Sequence, residues 1–220
     1  MFAKFLSYFI PINVIKKKSN VSKTLEVTWN NGELVLDSKN TNYSYGSLQR
    51  ILRKGLKYIG FERIKKFDTI LVLGVAGASV IKTLVNEVKF KGKITGVEID
   101  AKIIEIAKQY FKIEEIKNLE IIIDDAFEYV LKTKSKYDLI IIDIFQDTKM
   151  PNFLFEDFFI NRINFLLNKD GFILFNTMVI SEQDRIRNLD YKKKFNDNFS
   201  LRMYPKVEEH NELFTIKKLV

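Results

Sequence analysis

Cysteine is absent from the 220 residues. That excludes a disulfide framework, a thiolate zinc site and a cysteine nucleophile. Histidine occurs once, at His210. A two-histidine metal centre and most histidine-relay schemes are therefore excluded, and no metal site is expected. No apolar run approaches about 18 residues, so no segment is expected to span a membrane. What is present is a globular composition, with 46% hydrophobic and 29% charged residues. A chain of this length buries roughly two thirds of its unfolded surface and needs no staples.

The opening stretch, Met1 to Ile15, is apolar and aromatic and ends at Lys16-Lys17-Lys18. A secretory signal carries its charge before the apolar run and a small-residue cleavage site after it. Here the charge comes after. The stretch is expected to be a short amphipathic helix packed on the body, with a membrane-surface anchor as the alternative. A cytoplasmic location is expected. The net charge is +8, and residues 1–70 carry it, with 13 Lys/Arg against 5 Asp/Glu. A solvated lysine-rich surface accounts for that excess. No RNA-binding signature accompanies it, so nucleic acid is not an expected partner.

Leu25, Val27 and Trp29 alternate with polar residues, and Asn31-Gly32 supplies a tight turn, so Thr24 to Asp37 reads as a β-hairpin. Ser47 can cap a helix running to about Tyr58, with Leu48, Ile51, Leu52 and Leu56 on one face. From Thr69 the pattern changes. Strands are expected at 69–73, 93–97, 119–123, 138–142 and 171–175, and helices at 79–88, 101–110, 126–131 and 153–167. Continuous Ile/Val/Leu strands between helices indicate a parallel sheet covered on both faces. The tail reads as a helix near 182–195 and an antiparallel pair near 201–204 and 213–217. The expected division is a helix and hairpin element over 1–46 and an α/β domain over 47–220.

Open α/β sheets bind ligands at the carboxyl ends of their strands. The residues to inspect are those just past each strand. Gly74-Val75-Ala76-Gly77-Ala78-Ser79 is a run of small residues, half suited to a tight turn and half to a ligand loop; Ala76 and Ser79 break the dinucleotide fingerprint. Glu98, 24 residues past Gly74, suits a grip on the two hydroxyls of a ribose, whereas Asp100 reads as the cap of the next helix. Asp124 and Asp125 could cap a helix or accept from an adenine amino group. Asp143 ends a fully apolar strand. An ionised acid there is costly unless it has a partner or a task.

Taken in order, these features resemble the class I S-adenosylmethionine-dependent methyltransferase superfamily and, within it, the spermidine synthase-like proteins. The resemblance covers roughly Leu34 to Met178. It rests on Leu36-Asp37 with Tyr43-Ser44-Tyr45, on Leu71-Val72-Leu73-Gly74, and on Val97-Glu98-Ile99-Asp100. Asp124-Asp125-Ala126-Phe127-Glu128 and Tyr137 to Asp143 complete it. It implies a Rossmann-like α/β fold: a mostly parallel sheet with an antiparallel C-terminal strand and a small N-terminal β-hairpin element. It implies that Gly74, Ala76, Gly77, Glu98, Asp125 and Asp143 bind S-adenosylmethionine or its decarboxylated form. Asp143 and Tyr45 become the catalytic candidates, on a small-molecule acceptor. A homodimer through the N-terminal region is also implied.

Three features depart from the family pattern, the first being a loop between Leu36-Asp37 and Tyr45 that is shorter than the family's and lacks its glutamine. Gly77 stands where spermidine synthases carry an aspartate for the donor amine. Asp143-Ile144-Phe145-Gln146 replaces a segment with two acids, and Asp147 comes one place late. Fewer acids hold a polyamine less well. The sequence therefore leads to methyl transfer from S-adenosylmethionine. Aminopropyl transfer from the decarboxylated donor is the alternative, and a catalytically silent nucleoside-binding protein is the second alternative.

Overall fold

The structure is a computed structural model that describes residues 2–38, 42–44, 47–145, 149–208 and 210–220. It contains two sheets. The first is antiparallel, in the order β1-β2-β3-β4, with β1 Ile12–Ser19, β2 Lys23–Asn30, β3 Glu33–Ser38 and β4 Asn42–Ser44. Helix α1, Phe2–Leu6, precedes it. The expected hairpin is thus the centre of a four-stranded sheet. The helix expected across Met1 to Ile15 ends at Leu6, and Lys16-Lys17-Lys18 lie in β1. Branched Ile12 and Ile15 explain the difference: they pair with Trp29 and Val27 across β2. Helix α1 does lie against the small sheet, with Lys4 over the Trp29 ring, but the contact is shallow. The helix buries none of its residues, and Phe2 and Phe5 stay 75% and 64% exposed.

The linking helices α2, Ser47–Ile59, and α3, Phe61–Ile64, lead to the second sheet. Its strands are β5 Thr69–Leu73, β6 Lys93–Glu98, β7 Leu119–Ile123, β8 Tyr137–Ile142, β9 Leu167–Met178, β10 Phe199–Glu208 and β11 Asn211–Lys218. Their order is β10-β11-β9-β8-β5-β6-β7. The five strands β5 to β9 are parallel, whereas β11 runs antiparallel to β9 and to β10. This is the α/β fold that the sequence implies. Helices α4 Ser79–Thr83, α5 Ala101–Phe111, α6 Ala126–Lys132, α7 Asp157–Leu166 and α8 Glu182–Lys193 cover it. Helix α4 continues into a π-helical turn over Leu84–Val88.

One face of the large sheet packs on α2 and the small sheet. Leu25, Val27 and Leu36 share a core there with Ile51, Leu52, Leu56, Leu174 and Leu213. The other face carries Phe159 and Ile163 of α7 and Tyr191 of α8 against Leu71, Ile140, Ile173 and Phe175. Each fully buried side chain of this size contributes about 1.5–3 kcal/mol by leaving water. The helix expected over 153–167 is broken. Asn152–Phe155 forms a 3-10 turn, and Glu156 is extended before α7 begins. The break lets Phe155 pack on Phe175 and Tyr191 while Phe153 packs on Phe127 and Phe159. Strand β9 begins four residues earlier than expected, because Leu167 already pairs with Tyr137 before an irregularity that includes left-handed Asp170.

No helix among the described residues is long and apolar enough to cross a membrane.

Candidate active site

The carboxyl ends of β5, β6, β7, β8 and β9 bring the sequence candidates to one edge. After β5, Gly74, Ala76 and Ala78 take positive φ angles of 90°, 47° and 63°. A side chain at Gly74 has no room: its Cβ would lie 2.2 Å from the Asp143 backbone oxygen. Left-handed Ala76 and Ala78 cost about 1–2 kcal/mol each, so something must hold the loop. Glu98 does. Its Oε2 accepts from the Val75 and Ala76 amides at 3.1 and 3.0 Å, and its Oε1 from the Asp100 amide at 3.1 Å. Glu98 is 7% exposed. Burial pushes its carboxyl up, the three amides pull it down, and the charge of Asp100 adds a smaller upward push. The side chain expected to grip a ribose is thus first a clasp on the small-residue loop. A carboxylate has about four acceptor positions, so three amides leave room for a further donor.

Asp100 caps α5 through the Lys102 amide at 2.9 Å, as expected, and also accepts from Ser19 and Ser22 of the small sheet at 2.5 and 2.7 Å. Asp125 caps α6 through the Phe127 amide at 2.7 Å. Its capping role is therefore visible in the geometry. Beside these acids, Ile99, the first residue past β6, and Ile123, the last of β7, leave 44% and 49% of their surface exposed. Gly77 is buried within the loop.

Asp143 comes directly after β8, and its amide donates to the Leu73 carbonyl at 2.9 Å. Its Oδ1 accepts from Asn176 Nδ2 at 2.9 Å. Burial pushes the carboxyl up to about 6, the Asn176 amide opposes the rise, and the charge of Glu98 adds to it. Asp143 thus senses the charge of Glu98, with the small-residue loop bonded to Glu98 and Gly74 packed against Asp143. Tyr45, Gln146 and Asp147 lie outside the described residues. Asn176 is a site residue that the sequence reading misses. The rule that finds the acids, to inspect the first residues past an apolar run, returns it after Phe172 to Phe175. Asn211, whose Nδ2 donates to Asn176 Oδ1 at 3.0 Å, carries no such signal, because an antiparallel strand brings it in. No group of three or more metal-ligating side chains occurs among the described residues.

The spermine/spermidine synthase domain model matches residues 36–208. The polyamine aminopropyltransferase of Methanocaldococcus jannaschii is 34% identical over 125 residues, which cover 55% of this chain and 41% of that protein. The polyamine aminopropyltransferase of Prochlorococcus marinus is 32% identical over 118 residues, 50% of this chain and 41% of that protein. The chain thus spans about two fifths of the length of these curated relatives. The crystal structure of spermidine synthase from Thermotoga maritima superposes with a TM-score of 0.72 at 17% identity, over 94% of this chain and 72% of that one. The matched region contains every site residue named above except those before residue 36 and Asn211, and on this match the chain belongs to the spermine/spermidine synthase domain family.

Proposed function

We propose that the chain transfers an aminopropyl group from decarboxylated S-adenosylmethionine to an amine acceptor. This reverses the order of the two transfers reached from the sequence. The relatives that match are named aminopropyltransferases, so the departures at Gly77 and Gln146 are taken as a change in how the amine is held and not as a change of reaction. The observation that carries the reading is the pair of partly and nearly buried acids, Asp143 and Glu98, at the strand ends beside a loop of small residues. Two carboxylates at such an edge favour a cationic guest over a neutral one.

The donor supplies a sulfonium whose adjacent methylene carbon is open to in-line displacement. The chain supplies position and a proton acceptor. Glu98 faces the ribose side, and Asp125 the base side, next to the exposed apolar ends at Ile99 and Ile123. Asp143 takes the proton that an ammonium acceptor must lose before its nitrogen can form the new carbon–nitrogen bond. Tyr45, which lies outside the described residues, stays a catalytic candidate on the resemblance alone. The proposed division of the chain remains 1–46 and 47–220.

Donor preference is read from paired thermal shifts. The decarboxylated donor at about 100 times its Kd should raise the melting temperature by roughly 5–10 °C. The carboxylated form should give a smaller rise at equal concentration, since its extra negative charge approaches Asp143 and Glu98. A larger rise with the carboxylated form contradicts the proposal.

A further inference from the structure

Asn176 is fully buried near the end of β9. Its amide can be turned either way, and only one way is useful to Asp143. With Nδ2 toward the carboxylate it donates a hydrogen bond; with Oδ1 there, two acceptors would face each other. The orientation is decided on the far side. Asn211 Nδ2 donates to Asn176 Oδ1 at 3.0 Å and so holds that oxygen away from Asp143. Asn211 opens β11, and the hairpin that carries it is tied to β9 where the Val179 amide donates to the His210 carbonyl at 2.7 Å. The three side chains form one line, Asn211 to Asn176 to Asp143.

We propose that Asn211 is a positioning residue for Asp143, acting through the orientation of the Asn176 amide. The line engages Asp143 Oδ1. Among the described residues no side chain donates to Oδ2, which is left for the acceptor amine. The inference rests on the reading of Asp143 as the proton acceptor in amine transfer. The geometry of the relay itself can be tested without any turnover.

The test is N211D, which keeps the size of the side chain and replaces its donor by an acceptor. Asn176 must then turn its NH2 group toward β11 or lose a bond. Two readouts are taken. In the free protein, the Asn176 side-chain amide signals, assigned by nitrogen-15 NMR, should move as their bond to the carboxylate is lost. In the assay, kcat should fall about 10- to 100-fold, the scale of a misplaced reacting group, with the donor KM within about twofold. If N211D does not fold, N211L is read the same way. Unmoved Asn176 signals overturn the proposal whatever the activity. Moved signals with an unchanged kcat overturn the positioning role. A wild-type protein inactive with every donor would refute the proposed function, while the NMR signals would still decide the relay.

Discussion

Replacing Asp143 by Asn should reduce turnover about 100-fold or more, the range for a positioned acid–base group, and leave the fold intact. An Asn at this place still accepts from Asn176 Nδ2, so the line to Asn211 persists. It lacks the negative charge and cannot take a proton. The accompanying pH behaviour has a definite sign. The Asp143 carboxyl titrates near 6 in the folded protein, above its ordinary value of 3.8, chiefly because it is buried. The folded state therefore binds this proton more tightly than the unfolded one. The stabilising contribution is fully present below about 4 and is lost as pH rises through about 6. At pH 7 the wild-type protein holds a carboxylate that burial disfavours, so Asp143→Asn should melt at the same temperature or higher. Wild-type kcat/KM should fall below pH 6, and kcat at a lower pH, since a bound cation pulls the carboxyl down. A variant that keeps more than a tenth of wild-type turnover would remove Asp143 from the mechanism.

Gly74→Ala should be the most damaging small substitution in the site. Two costs add. The residue holds a φ of 90°, outside the range that an alanine adopts freely, and the new Cβ would sit 2.2 Å from the Asp143 carbonyl oxygen. Strain of about 1–2 kcal/mol and overpacking of about 1–3 kcal/mol give roughly 2–5 kcal/mol in all. That corresponds to a melting temperature lowered by about 5–15 °C in a chain of this size. Relief requires β5 and β8 to part where Leu73 and Asp143 are bonded, so Asp143 and the loop shift together. Donor binding should be lost in the same variant, measured by calorimetry at a temperature where it remains folded. A Gly74→Ala protein that melts within about 2 °C of wild type, less than the smallest shift expected, would show that the approach of the two strand ends is looser than the structure has it.

The large sheet is legible in the sequence because its strands are unbroken apolar runs. Thr69 to Leu73 and Leu119 to Ile123 fall where expected to the residue. The acids at strand ends are legible for the same reason, since Glu98 and Asp143 interrupt an apolar pattern. The rest is hidden by tertiary packing. Phe153 and Phe155 both read as helix, yet they serve different neighbours and the backbone breaks after them. Ile12 and Ile15 read as a helix face until β2 is there to pair with them. The clasp by Glu98 cannot be read at all, because its partners are backbone amides 22 and 23 residues away. Asn211 belongs to the same class: only the antiparallel register of β11 on β9 brings it to Asn176. Under the proposed reading, Gly77 and Gln146 mark a change in how the amine groups are held and not a change of reaction.

Product analysis of the wild-type protein tests the central claim most directly. The protein is incubated with an amine such as putrescine and either donor, and the nucleoside and amine products are identified by mass spectrometry. The decarboxylated donor should give methylthioadenosine and an aminopropylated amine in equal amounts, and the carboxylated donor should give neither an aminopropylated nor a methylated amine. A methylated amine with S-adenosylhomocysteine, from the carboxylated donor alone, would contradict the account.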